Sequence, residues 1–221
     1  LLVILMLVAT TAAARPAEPA QLEILRTVDG GDQAMLYRPW AVCFGPDGGV
    51  FVLNAGDCRV LAFDADWQLV RTFGRQGSGP GEFTNPTGML RRGDALWVFE
   101  MMRVTVFGLD GEYRRTLTSR VEMHVPLLTD RGLLVRLGSS DRLAALLDDQ
   151  LGLVEKLGPA CPTDGDWATR YRACGFVRAL AHPDHLALML NPYDGHLWAL
   201  DTGGRVVREL DLVDRGGTSR V

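Results

Sequence analysis

VLAFDADWQLVRTF, residues Val60 to Phe73, aligns without a gap to VTVFGLDGEYRRTL, residues Val104 to Leu117. Two further copies follow: AALLDDQLGLVEKL from Ala144 to Leu157 and LWALDTGGRVVREL from Leu197 to Leu210. Each begins with an alternating apolar strand, turns through Asp- and Gly-rich residues, and ends in a second strand. The anchor residues Phe63, Phe107, Leu147 and Leu200 are 44, 40 and 53 positions apart. Self-similarity at 40 to 50 residues is the mark of propeller blades. The last interval is lengthened by ACPTDGDWATRYRACGF, residues 160–176.

A second hairpin precedes each of these. In the first copy it is PWAVCFGPDGGVFVLN, turning at Gly45-Pro46-Asp47-Gly48-Gly49. In the next three the turns fall at Gly93-Asp94, near Asp130-Gly132 and at Pro183-Asp184. Pro presets φ, Asp caps neighbouring amides and Gly accepts positive φ, so these residues supply turns for physical reasons. Period-two alternation, as in Val50-Val52 and Val104-Val106, specifies strand. The expected fold is therefore all-β: four-stranded antiparallel meanders A-B-C-D packed radially as a β-propeller. The blades are expected at 39–83, 86–123, 126–158 and 177–212, with a strand at 22–28 from a closing blade.

TFGRQGSGPGEFTNP, residues 72–86, poses the main functional question, because dense glycines can cradle a phosphate. A phosphate loop should run from a strand into a helix N-terminus. Here Pro80 interrupts the glycines, no Lys-Ser or Lys-Thr follows them, and the next element reads as a strand. The stretch is expected to be a blade-to-blade crossover with Phe83 plugged between blades. The run Phe73 to Phe83, continuing to Pro86, resembles the inter-blade signature of NHL-repeat proteins. The order Pro, short strand, Asp-Gly turn, apolar strand, Arg-Val-x-x-Phe is also similar to that family. The resemblance is strongest from Pro39 to Gly111. It implies a six-bladed propeller, often in exported bacterial proteins. Asn54 and Glu100 stand where the family favours Asp at the end of strand B, and Cys58 replaces its Asn. Arg59 and Arg103 keep its Arg, and Arg142 is a remnant. Four blades of the implied six are present, so a fragment of a longer product is expected, against a true four-bladed ring.

Net charge is −4, with 23 Lys and Arg against 27 acids, which leaves no basic excess for nucleic acid. LLVILMLV followed by small residues to Ala14 matches a secretory signal over residues 1–16. It is shorter than the roughly 20 apolar residues of a membrane span. An exported protein, periplasmic or extracellular, with no stable span after signal cleavage is expected; the competing reading is a frayed cytosolic N-terminus.

In such a meander the B-to-C and D-to-A loops share one face, and loops on a rigid scaffold usually carry binding. The candidate binding residues there are Asn54, Asp57, Arg59, Glu100, Arg103, Asp141, Arg142, Asn191, Tyr193, Asp194 and His196. Trp167 and Tyr171 join them from the insertion. Arg59 and Arg103 read first as ties between strands B and C, with binding as the second reading, whereas Asp57, Asn191, Asp194 and His196 are equally readable as binding residues or solvated loop. Cys161 and Cys174 are a disulfide candidate across the insertion, worth at most roughly 3 kcal/mol; Cys43 and Cys58 are expected not to pair. The inner strands offer no mid-strand carboxylate to the axis. The four histidines form no metal-ligand set, and His182 and His185 read as turn residues. No catalytic residue, metal or cofactor is expected. A protein, peptide or small carbohydrate-like partner is. The favoured function is a non-catalytic binding or interaction scaffold. A propeller hydrolase or lyase with a channel metal, and a structural module of a larger protein, are the alternatives.

Overall fold

The computed structural model describes residues 35–137, 141–160, 178–191 and 195–211. Four antiparallel four-stranded sheets make up the blades of a β-propeller. Blade 1 contains β1 (Pro39–Phe44), β2 (Val50–Asn54), β3 (Arg59–Phe63) and β4 (Leu69–Phe73). A short parallel pair, β5 (Arg75–Gln76) and β6 (Glu82–Phe83), closes the glycine-rich crossover. Blade 2 is β7 (Gly88–Arg92), β8 (Ala95–Phe99), β9 (Arg103–Gly108) and β10 (Tyr113–Thr118). Blade 3 is β11 (His124–Thr129), β12 (Gly132–Arg136), β13 (Arg142–Leu147) and β14 (Leu153–Ala160). Blade 4 is β15 (Arg178–His182), β16 (His185–Asn191), β17 (His196–Leu200) and β18 (Val206–Asp211). Among the described residues no helix is long and apolar enough to cross a membrane.

The aligned segments fold into one repeated hairpin. Phe63, Phe107, Leu147 and Leu200 are all buried and pair with Leu69, Tyr113, Leu153 and Val206, six residues on in each case. A bulge sits beside each of these pairs. Every turn is closed by the same backbone bond, donated by Asp64, Gly108, Asp148 or Asp201 to the carbonyl four residues later. The fourth turn residue is left-handed every time: Trp67, Gly111, Leu151 and Gly204, at φ between 62° and 84°. The Oδ1 atoms of Asp64, Asp148 and Asp201 accept amides of their own turns. A gap-free sequence repeat is thus a backbone repeat.

The same left-handed position also meets the preceding blade. A Cβ on Gly111 would lie 2.8 Å from Phe73 Cδ1, so only glycine passes beneath that ring. Leu151 accepts the strained conformation because its side chain is buried in the core between blades 2 and 3.

The inner strands touch in chain order, β1 with β7, β7 with β11, and β11 with β15. Among the described residues no comparable contact returns from β15 to β1. The two middle strands of each blade place apolar side chains on both faces of the sheet, and three clusters fill the inter-blade spaces. Phe51, Leu53 and Val60 of blade 1 meet Leu96, Val98 and Phe107 of blade 2. Trp97 and Phe99 meet Leu133 and Val135. Leu134 and Leu146 meet Met189, Trp198 and Leu200. A fourth cluster, with Val50, Val52, Leu61 and Phe63, lies on the other face of blade 1.

Candidate functional site

Strand B ends on the face expected to bind. Asn54 and Asn191 are its last residues in blades 1 and 4, and Glu100 and Leu137 directly follow it in blades 2 and 3; each is buried and faces the first residues of strand C. In blade 1, Asn54 Oδ1 accepts the Tyr37 amide at 2.6 Å, and Nδ2 donates to the Met35 carbonyl at 3.0 Å and to Asp57 Oδ2 at 2.9 Å. The segment entering β1 is thereby tied to its own blade. In blade 2, Glu100 Oε1 accepts the Thr84 amide and hydroxyl, both at 2.7 Å, and the Asn85 amide at 3.0 Å. Its Oε2 meets Arg103 at 2.5 Å. Burial pushes the Glu100 carboxyl up, but these hydrogen bonds together outweigh it and hold the group below the usual carboxylate range.

Arg103 organises the glycine-rich crossover. Its guanidinium donates to the carbonyls of Ser78 at 3.0 Å, Glu82 at 3.3 Å and Gly77 at 3.4 Å. The loop's own amides are spent internally: Gly77 donates to the Phe83 carbonyl, Gly79 to Glu82 Oε2, and Glu82 to the Gly79 carbonyl. The loop therefore presents carbonyls to a cation, the reverse of a phosphate cradle, and the cation is the protein's own. Phe83 is fully buried, with its ring edge-on to Phe107 at 5.7 Å.

The remaining candidates differ in setting. Asp57 and Arg59 are exposed at the blade 1 loop. Asp141 pairs with Lys156 at 2.7 Å, and Arg142 donates to the Gly158 carbonyl at 3.1 Å. His196 lies between Glu209, 3.3 Å from Nδ1, and Asp211, 3.0 Å from Nε2, and stacks on Trp198. Trp198 in turn donates its indole N–H to Glu209 at 3.0 Å. Glu209, Asp211 and Trp198 escape a reading of loops because they belong to strands; the register pairs His196 with Asp211 and Trp198 with Glu209. Trp167, Tyr171, Tyr193, Asp194, Cys161 and Cys174 lie outside the described residues, as do the signal segment and the strand expected at 22–28. Cys43 and Cys58 are free thiols; burial pushes Cys43 up to about 12 and raises Cys58 as well.

Around these polar groups the same face exposes large apolar side chains. Met35 and Tyr37 run past the blade 1 loop, Trp40 stands at the start of β1, and Met101 and Met102 form the blade 2 turn. Their exposures run from 41% to 77%. The opposite face of blade 1 carries an open groove of about 440 Å³, lined by Phe51, Val70, Leu109, Asp47 and Asp66 among others. Among the described residues no group of three or more His, Cys, Asp or Glu side chains is placed to hold a metal.

No family model matches the chain, and no curated protein matches it. Solved structures do. A protein assigned as exported in Bacteroides fragilis aligns at 14% identity with a TM-score of 0.61, over 83% of this chain and 52% of that one. A DUF4221 member from Bacteroides vulgatus aligns at 13% identity and TM-score 0.60, over 85% and 62%. An inactive virginiamycin B lyase from Staphylococcus aureus, solved with quinupristin, aligns at 12% identity and TM-score 0.59, over 83% and 58%. The chain spans about half to three-fifths of the length of these proteins. At such identities the likeness establishes the propeller fold.

Proposed function

We propose that this chain belongs to an exported, NHL-like propeller that binds a protein or peptide on its B-to-C and D-to-A loop face, without chemistry of its own. One observation carries the reading: Met35, Tyr37, Trp40, Met101 and Met102 are exposed together on that face in two adjacent blades. Exposed aromatic and Met side chains are what protein interfaces enrich, and Met adapts to irregular partners. The polar groups between them are committed to architecture. Asn54 and Glu100 hold incoming chain, and Arg103 holds the crossover. Fold alone does not supply chemistry, so the site must. A six-bladed ring is part of the same proposal. It is supported by the inter-blade signature from Phe73 to Pro86.

The test uses the full-length protein in its exporting host. A photo-crosslinking residue at Met101 or Tyr37 captures a partner, whereas one at Gly93 on the opposite face does not. Trp40→Asp combined with Met101→Asp then weakens binding of that partner by at least about tenfold, roughly 1.4 kcal/mol, with thermal melting unchanged. Capture through Gly93 alone would refute the assignment of the face. Turnover of a lactone or ester by a preparation carrying stoichiometric metal would favour the hydrolase or lyase reading instead.

A further inference from the structure

The A-to-B turn of blade 4 lies on the face opposite the proposed binding surface. His182 closes β15 and His185 opens β16, and the two are directly paired in the ladder. Their Nδ1 atoms are 3.1 Å apart, with ring centroids at 4.7 Å and planes at 82°. The Asp184 amide donates to His182 Nδ1 at 3.1 Å, so that nitrogen presents a lone pair and carries no proton. The one in-plane lone pair of that nitrogen accepts the amide, and His185 Nδ1 is its second close neighbour. Two imidazole nitrogens thus converge at the turn.

We propose that this histidine pair is a binding site for a divalent first-row transition ion. Imidazole nitrogens bind such ions at about 2.0–2.1 Å. Two ligands at that distance, subtending the angles of octahedral to tetrahedral coordination, are separated by about 2.9–3.4 Å. The observed 3.1 Å falls within this bite. An ion held by both Nδ1 atoms displaces the Asp184 amide from His182 Nδ1 and leaves the proton of His185 on Nε2, with a small rotation of each ring about its own side-chain bond. The scaffold is stiff: the pair terminates two strands of a four-stranded sheet, and Pro183 fixes φ within the turn. The site is reachable, because both rings are half-buried and Pro183 and Asp184 between them are exposed. The two imidazoles are the protein's ligands, and solvent completes the coordination sphere. For nitrogen ligands the affinity order places Cu(II) above Ni(II) and Zn(II).

The sequence does not advertise this site. His-x-x-His across a Pro-Asp turn matches no metal motif, and only the hairpin register turns the two rings toward one another.

The experiment is a calorimetric titration of the full chain with Cu(II), and separately with Ni(II) and Zn(II). The wild type is expected to bind one equivalent at this site, with Cu(II) tightest. His182→Ala and His185→Ala should each weaken binding at least about tenfold, and the double variant should remove that equivalent. His124→Ala and His196→Ala should bind as the wild type does. A measurement free of variants runs alongside: substoichiometric Ni(II) should broaden the imidazole resonances of His182 and His185 before those of His124 and His196. The proposal fails if the wild type binds no equivalent, if the double variant retains wild-type affinity, or if Ni(II) broadens another histidine first.

Discussion

At the scale of single residues, the buried carboxylate of Glu100 illustrates how a polar group on a loop face can belong to the architecture. It accepts from two backbone amides and a hydroxyl and pairs with Arg103. Removing it leaves those donors without their acceptor and the partly buried Arg103 guanidinium without its anionic partner. Glu100→Ala should therefore cost about 3 kcal/mol, read from urea denaturation at neutral pH. The pH dependence follows from its lowered titration. A group held below its ordinary 4.5 in the folded state contributes stability that is complete above that value and is lost as pH falls through its folded value. Stability measured from pH 6 down to about pH 3 should fall more steeply in the wild type than in Glu100→Gln. Parallel acid limbs would show that the hydrogen bonds do not favour the ionised form. Sequence reading places Glu100 and Asn54 at the loop end of strand B correctly, but it cannot tell inward from outward there. Their partners lie 16 and 17 residues away, in segments whose path depends on packing.

Among the elements, the crossover from blade 1 to blade 2 shows what dense glycines can be for. Gly74 has φ +80°, and a Cβ there would stand 2.4 Å from Phe83 Cε2. The glycine both supplies the left-handed angle and makes room for the ring that seals the two blades. Gly74→Ala should destabilise by about 2 kcal/mol, roughly half from the backbone and the rest from the displaced ring. Phe83→Ala empties a fully buried site and should cost about 3–5 kcal/mol. Differential scanning calorimetry separates the two, and a Gly74→Ala variant as stable as the wild type would deny the contact its role. The crossover function and the Phe83 plug are legible from sequence, because Pro80 and the absent Lys-Ser or Lys-Thr exclude a phosphate loop on local grounds. That the loop closes around Arg103 is not legible. The donor sits 21 to 26 residues from the carbonyls it gathers, and only the pairing of β8 with β9 brings it there.

For the whole molecule, stability is built between blades more than within them, since three of the four apolar clusters among the described residues are shared by consecutive sheets. In such arrays each unit is supported by its neighbours. Phe107→Ala removes a ring from the space between blades 1 and 2 and should raise amide exchange in both of them. Leu200→Ala should do so in blades 3 and 4 while leaving blade 1 unchanged. Hydrogen exchange followed by mass spectrometry checks this, and uniform exchange changes throughout would show one undivided core instead. The all-β meander, its turns and its repeat were determined by the sequence alone, because alternation, Asp and Gly act over a few residues and recur at one pitch. The four left-handed turn positions, filled by Trp67, Gly111, Leu151 and Gly204, show how faithfully that local code is kept. Tertiary structure alone decided which polar groups on the loop face are spent on neighbouring chain, which apolar ones stay exposed, and that His182 faces His185. Those outcomes depend on register and on contacts between distant segments, and a hydrogen bond or a ring contact exists only once both partners have been brought into place.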